Sequence, residues 1–431
     1  MTEVAQASPP PASPPTHPWA AGVPRDAGAM TLPRWTDFLV VGGGIIGINL
    51  ALELKRRHAD CQVTLIEKEP SWGQHASGRN SGVLHAGFYY TPDSLKARFT
   101  REGNSQLTGY CEARGIRVNR CGKLVVARSA ADLAGLDQLL QRGRANGVPL
   151  EDLSLDEARR IEPRVKTHMR ALFSPTTAAV DPVQVLDALG RDLYAAGIRV
   201  GTDTAYLGRT ATTVRTSAGP IAAGYVVNAA GVYADRIARD YGFSERYRIL
   251  PFKGLNLHSA PGVPAFSAHI YPVPDLRYPF LDVHVTVRAD GGTSLGPTAT
   301  PAFWREHYEG LRRFRLAECL EVVAREVGLF LRNDGGFRRL AIHELRKYRK
   351  RTLLAHAAAL AQGIRLEDFR SWGSPGIRAQ LLDITRGKLE MDFRYEGDDR
   401  SFHVLNAVSP AFTCAIPLSA HLVDQIDRLV A

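Results

Sequence analysis

Backbone that must come close to a phosphate is built from glycine, and Gly42, Gly44 and Gly47 in the run VVGGGIIG stand at the spacing G-x-G-x-x-G. In such a turn one glycine makes the tight bend, the next admits a pyrophosphate, and the third lets a helix pack on a strand. The helix that opens there points unpaired N–H groups at the anion. Glu67 stands twenty residues after Gly47, where a carboxylate can accept hydrogen bonds from ribose hydroxyls. The chemistry implied is dinucleotide binding. The glycines and the acid fit a flavin and a nicotinamide dinucleotide equally well.

These residues act together only if a strand leads into the turn and a helix leads out. Asp37 to Val41 is an apolar run of strand length, Ile45 to about Arg57 has helical periodicity, and Val63 to Ile66 is a second strand ending at Glu67. This is the first βαβ unit of a doubly wound sheet. Downstream the pattern predicts a helix from about Ser94 to Arg114, a strand over Lys123 to Ala127, and polar helical segments as far as Glu162. A helix then runs from Asp181 to Ala196, with Asp181 as its cap and Pro182 in its first turn. Tyr225 to Asn228 reads as a buried strand, and Ala229 to Gly231 turn the chain into a helix. From about Arg248 to Pro297 short β-like runs broken by Pro and Gly indicate an antiparallel sheet. Helical sequence dominates from Trp304 to Ala361, and Phe402 to Leu405 form a strand before a last helix over about Thr413 to Leu429.

The fold class is therefore α/β: a Rossmann-like dinucleotide-binding domain built from separated segments, with an α+β substrate domain containing an antiparallel sheet. The division expected is 35–119, 166–245 and 350–431 for the former and 120–165 and 246–349 for the latter. Residues 1–34, with the run PPPASPPTHP, are expected to form a disordered Pro-rich tail.

Composition narrows the function. The five cysteines are scattered, with no C-x-x-C pair and no His cluster at metal spacing, which points to a reducing, cytoplasmic compartment and no metal. No apolar stretch is long enough to span a bilayer. The net charge of +10 brings no nucleic-acid motif with it, so no nucleic-acid partner is expected. The densest basic run, Arg346, Lys347, Arg349, Lys350 and Arg351 with Arg338 and Arg339 just before it, reads as a solvated helix face. The alternative is a peripheral dock, over 338–351, for anionic lipid or an acidic partner.

The segment SGRNSGVLHAGFYYTPDSLKARF, Ser77 to Phe99, resembles the stretch of amino-acid-oxidase-like flavoproteins that runs along the flavin, in the version found in L-2-hydroxyglutarate oxidases and dehydrogenases. The resemblance continues through VVNAAGVYAD, HIYPVPDLRYPFLDVHVT, LGP, SPGIRAQLLD and HVLNAVSPAFTCAI, so that it spans nearly everything from Asp37 onward. It implies FAD as cofactor, bound non-covalently, with Arg79, Asn80, Ser81, Ala230, Gly231, Gly376, Ile377 and Thr413 joining the glycines and Glu67 as its contacts. It implies too that His85 lies near the isoalloxazine ring.

The activity implied is oxidation of an L-2-hydroxy acid to the 2-oxo acid, with oxygen or a quinone-linked acceptor taking the electrons. That reaction needs a base for the hydroxyl proton, a cation for the carboxylate, and flavin N5 to accept the hydride from C2. His284 in LDVHVT is the first candidate base and His85 its competitor. Arg378 in GIR offers a bidentate fork to a carboxylate. Lys253 in PFKG is a second candidate cation, at a position where the family usually has arginine. Leu255, Asn256, Phe412 and Cys414 also depart from the family pattern, which opens the pocket to another hydroxy acid or to an amine. A flavin-binding partner protein without turnover is the reading from a different class.

Overall fold

The first strand among the described residues runs straight into the interior: in Trp35–Val41, Leu39 and Val40 are fully buried. The structure is a computed structural model that describes residues 32–276, 280–333 and 337–431. The expected disorder of the Pro-rich tail falls on residues 1–31, outside the described residues, whereas Leu32 packs into the apolar cluster around Leu39 and Val41. Leu32–Ala431 form one compact unit.

Five parallel strands carry the nucleotide-binding half, in the order Ser401–Asn406, Gly219–Asn228, Trp35–Val41, Val63–Ile66, Arg199–Gly201. Strands distant in sequence thus lie side by side, as a Rossmann-like sheet assembled from separated segments requires. Helices Ile45–Arg57, Leu95–Ala113, Pro182–Ala195 and Ala411–Val430 bury their apolar stripes on one face of it. Asp181 caps the third of these, its carboxylate accepting from Val183 N at 2.9 Å, with Pro182 in the first turn.

A second, largely antiparallel sheet of eight strands is ordered Ser371–Trp372, Leu257–His258, Thr293–Gly296, His284–Val287, His269–Pro272, Lys123–Val126, Arg170–Ser174, Glu151–Ser154. A four-stranded antiparallel sheet joins Thr300–Pro301, Tyr247–Gly254, Gly376–Asp383 and Lys388–Leu389.

Two stretches differ from the sequence pattern for local reasons. Before Glu162 the helices Leu133–Ala145 and Leu155–Ile161 are separated by the strand Glu151–Ser154, because Gly147 turns the chain with a positive φ and the strand then finds an edge to pair with. The helical run expected from Trp304 starts only at Leu316, since Gly310 and Arg313 both sit at positive φ. The basic run is not one solvated helix face. Helix Phe337–Arg346 ends before helix Lys350–Ala358 begins, and Lys347 between them is buried, its ammonium 2.7 Å from Asp282 and also paired with Glu344.

Candidate active site

The glycine turn is packed to the limit of what glycine allows. Gly42 has φ +114°, and a Cβ there would meet Ala229 O at 2.6 Å; a Cβ on Gly47 would lie 1.9 Å from Gly42 O. Strand, turn and helix are therefore in backbone contact, and Gly44 begins the helix Ile45–Arg57 with no side-chain cap and no acidic residue in the first turn. An anion can approach that end without meeting a carboxylate on the helix's own first turn. Glu67 is buried at the end of the neighbouring strand, its two oxygens accepting from Gly43 N at 2.7 Å and Glu69 N at 2.9 Å.

Segments far apart in sequence converge on residues 77–85. Ser77 Oγ accepts from Ile45 N at 2.9 Å, tying this loop to the helix start. Arg79 donates from Nε to Gln74 O at 2.7 Å and lies over the Tyr308 ring at 4.6 Å. Asn80 and Ser81 are exposed; the Asn80 side chain holds the loop, accepting from Gly82 N at 2.8 Å and donating to Ser77 O at 2.6 Å. Gly376 abuts Arg79, where a Cβ would stand 2.6 Å from the Arg79 carbonyl, and Ile377 is buried next to it. Thr413 Oγ1 donates to Val83 O and accepts from His85 N, both at 3.2 Å. Ala230 N donates to Asn228 Oδ1 at 3.2 Å, and Gly231, at φ +55°, faces open space. The acid-free helix start, the close-packed glycines and the buried Glu67 fit FAD.

Sequence reasoning missed the ionic cluster beside this cradle. Glu69 and Glu306 are buried and joined by Lys68, His75 and Arg313, with Arg313 Nη2 2.7 Å from Glu69 and Lys68 2.6 Å from Glu306. Burial pushes the Glu69 carboxyl up, but His75, Arg313 and Lys68 outweigh it and hold the group well below its ordinary range.

The second sheet presents a different face. Alternate residues of a strand share one side, and the register sets Lys123 opposite His269 and Val125 opposite Tyr271. Ile270 pairs with Val285, which brings Tyr271 beside His284; their rings stack with centroids 3.7 Å apart. His284 Nδ1 lies 2.8 Å from the Asp282 carbonyl. A carbonyl can only accept, so Nδ1 carries the hydrogen and the neutral ring keeps its Nε2 lone pair open. Burial, with Lys123 and Arg378 adding to it, lowers the His284 pKa to about 3 against the backbone hydrogen bond.

His85, arriving from the cofactor loop, meets this face through Nδ1, 3.4 Å from Lys123 Nζ. Its pKa is depressed well below the usual imidazole value by burial and then by Lys123, His284, His269 and Arg378. Arg378 is directly opposite Phe252 across the strand pair and lies 5.7 Å from the Phe280 ring centroid. Burial lowers its pKa, against attraction from Glu344. The structure thus groups His85, His284 and Arg378.

It separates Lys253 from them. Lys253 follows Phe252 on the same strand, so its side chain leaves the opposite face; burial lowers its pKa, Glu309 raises it, and the ammonium in turn depresses His307. Cys414 also points elsewhere, 3.4 Å from Thr100 in the core. The residue sequence reasoning overlooked is Lys123, wholly buried and lying 4.3 Å from the Tyr271 ring centroid. Its signal was a charge at the head of the apolar strand KLVV. Among the described residues no hydrogen bond or ion pair joins a carboxylate to Lys123, His85, His284 or Arg378.

Folding does assemble two groups with metal-ligand chemistry, Asp282–His343–His356 and Glu69–His75–Glu306. Lys347 sits on the first, and Lys68 and Arg313 on the second, taking up the carboxylate lone pairs that a cation would need. No described helix is long and apolar enough to cross a membrane.

The sequence model of the FAD dependent oxidoreductase family matches residues 37–425. L-2-hydroxyglutarate dehydrogenase of Escherichia coli K12 is 34% identical over 409 residues, covering 92% of this chain and 94% of that protein. The human mitochondrial L-2-hydroxyglutarate dehydrogenase is 34% identical over 415 residues, 91% and 89% of the two chains. Among solved structures, L-alpha-glycerophosphate oxidase from Mycoplasma pneumoniae with FAD bound superposes with TM-score 0.70 at 22% identity, over 92% of this chain and 95% of that one. Glycine oxidase from Geobacillus kaustophilus gives 0.69 at 21% identity, again over 92% and 95%. These two establish likeness of fold.

Proposed function

This chain belongs to the FAD-dependent oxidoreductase family and is an enzyme that uses FAD, and from that premise we propose that it oxidises an L-2-hydroxy acid, first of all L-2-hydroxyglutarate, to the 2-oxo acid. The observation that carries the reading is the site's charge: Arg378 and Lys123 gather there beside three neutral histidines, with no bonded carboxylate among the described residues, a setting that suits an anionic substrate. The names of the relatives at 34% identity agree with it.

Arg378 receives the C1 carboxylate on its fork, which fixes the orientation of C2. His284 Nε2 takes the hydroxyl proton as the C2–H electron pair departs. When bound, FAD supplies the acceptor for that hydride, at N5. A substrate carboxylate among these cations raises the depressed histidine, so His284 becomes a competent base when the site is filled.

Flavin bleaching under anaerobic conditions, with a panel of 2-hydroxy acids and amino acids, tests the proposal. L-2-hydroxyglutarate is expected to bleach fastest, and Arg378→Lys to weaken its binding substantially, because a fork becomes a point charge. Bleaching by amino acids alone would replace the proposal with amine oxidation. The observation that favours a substrate other than L-2-hydroxyglutarate is that Lys253 faces away from Arg378 and does not add a second cation beside its fork. Family membership removes the flavoprotein without turnover from the leading readings.

For the electron acceptor we infer a membrane quinone, reached by a cytoplasmic protein docked on the bilayer surface. On helix Leu316–Arg332, Leu316, Leu320, Val327 and Leu331 recur at one helical stripe and are 49–69% exposed. Exposed Ile342 and Leu345, with Arg338, Arg339 and Arg346, continue the surface on helix Phe337–Arg346. Apolar stripe and arginines together suit an anionic interface. Cosedimentation with anionic vesicles, lost on Leu320→Glu, is expected; indifference to the vesicles would leave oxygen as the acceptor.

A further inference from the structure

Two histidines compete for the base, and the group between them settles their parts. Lys123 opens a strand whose other residues, Leu124, Val125 and Val126, are wholly apolar, and its own exposure is 0%. A buried ammonium is costly unless something near it gains from the charge. The groups around it are His85, whose Nδ1 is 3.4 Å from Nζ; the rings of Tyr271, Tyr89 and Phe88 at 4.3, 5.2 and 5.8 Å; Cys121, two residues before it in the chain; His269 on the adjacent strand; and His284 on the strand beyond that. His269 is already spent, accepting from Val287 N at 3.0 Å on Nδ1 and meeting Cys121 Sγ at 3.3 Å on Nε2. The aromatic faces attract the cation but give it no acceptor lone pair. Among the described residues His85 is the one acceptor bonded to Nζ.

We propose that Lys123 is the positioning residue that divides the work between the two histidines: its ammonium donates to His85 Nδ1, locks the His85 ring as the Nε2–H tautomer, and leaves His284 as the ring with a free lone pair. His85 then faces the substrate as a hydrogen-bond donor. His284 is fixed in the opposite sense, because its Nδ1–H is given to the Asp282 carbonyl. One ring donates and the other accepts, which is what a hydroxy acid losing its proton requires of two neighbours. The same ammonium adds a positive potential that favours an anionic ligand. Burial lowers the Lys123 pKa to about 7, so the device weakens as pH rises through that value in the empty site, and a bound anion moves the limit upward. The inference rests on the proposed oxidation of a 2-hydroxy acid for its meaning, but the tautomer itself does not.

The test uses the FAD-loaded enzyme with histidine labelled by nitrogen-15, and the His85 signals identified by their loss in His85→Gln. Below pH 7 the wild type is expected to show His85 as the Nε2–H tautomer. Lys123→Met, which keeps the length and apolar stem, is expected to release it to a tautomer mixture and to slow flavin reduction by L-2-hydroxyglutarate roughly 10- to 100-fold, the usual worth of an outer partner that orients an imidazole. Lys123→Arg retains charge and donor, so it is expected to keep the tautomer and to abolish the fall in reduction rate on the alkaline side. His85 found as Nδ1–H in the wild type, or unmoved in Lys123→Met, would overturn the proposal. Where Lys123→Met does not fold, the wild-type tautomer and the Lys123→Arg pH profile decide alone. A wild type with the expected tautomer but no bleaching by any 2-hydroxy acid would instead overturn the proposed substrate and leave the role of Lys123 standing.

Discussion

The cofactor cradle and the substrate face lie in one compact unit and use opposite devices. In the cradle, backbone does the work: Gly42, Gly44 and Gly47 bring main chain together, and the charged side chains nearby, Glu69, Glu306, Lys68 and Arg313, are paired with one another. On the substrate face, side chains do the work, and the cations Lys123 and Arg378 have no bonded carboxylate among the described residues. The first region is complete by itself in its charge balance. The second is completed by what binds there. A region built from close-packed backbone tolerates no added atom, whereas one built from side chains should fail gradually, by residue.

The contrast breaks most sharply at Gly47. A methyl group there would stand 1.9 Å from Gly42 O, so Gly47→Ala must push the helix off the strand. Overpacking of this kind costs about 1–3 kcal/mol or more, and it moves the helix end that holds the pyrophosphate. Loss of bound FAD is expected, read as flavin absorbance per mole of purified protein; normal flavin content would show that the turn yields more readily than its packing indicates. His284→Ala should behave in the other way, with FAD retained and flavin reduction slowed by roughly 10²- to 10⁴-fold, as for a removed general base. If reduction stays near wild type while His85→Ala abolishes it, the base is His85.

The difference also explains what could be read from sequence. The cradle was legible because its determinants are contiguous: strand, glycines, helix and acid fall within thirty-odd residues, and the strand Val63–Ile66 and helix Ile45–Arg57 stand where the pattern placed them. Ser77, which completes the helix start, was not singled out, since nothing in the loop distinguishes the serine that will face Ile45 N from its neighbours. The substrate face was less legible. Its residues come from strands at 123–126, 269–272 and 284–287, and the register that aligns them is a tertiary fact. His284 and Arg378 are legible through family resemblance, and Lys253 stands with them because the family usually has arginine there, a likeness that carries no sign of the strand alternation sending its side chain to the other face. Lys347 was read as part of a solvated run, although its spacing of three from Glu344 foreshadowed the pair that buries it.

The two regions should also respond to acid in different windows. His284 and His269 each have pKa values near 3 in the folded chain, lowered chiefly by burial. Unfolding returns them to about 6.5, so between roughly pH 6.5 and 3 the unfolded chain binds more protons and stability falls as pH falls, by up to about 1.4 kcal/mol per pH unit for each group. Glu69 is depressed as a carboxylate, so its contribution is intact above its unfolded value of 4.5 and is lost only as pH falls below that. Denaturant unfolding from pH 7 to pH 5 therefore probes the substrate face alone among these groups. The loss is expected to be smaller in His284→Gln than in the wild type, and equal slopes would show that His284 titrates normally in the folded chain.

The smallest effect concerns the residues that lead into the central strand Trp35–Val41 of the cradle sheet. The composition of residues 1–31 offers little apolar surface to a core, so their removal is expected to leave flavin content, turnover and unfolding midpoint within error. The next three residues differ. Leu32 is half-buried against Gly201, which has no side chain to displace it, and Arg34 O accepts from Ala222 N at 2.9 Å on the strand that flanks Trp35–Val41. Removing residues 1–34 gives up that apolar contact and one backbone hydrogen bond, together about 1–2 kcal/mol. The loss falls on the cradle rather than on the substrate face. A lower unfolding midpoint with unchanged flavin reduction by bound substrate is thus expected for the longer deletion, and a change in the reduction rate instead would show that the two regions are coupled through this segment.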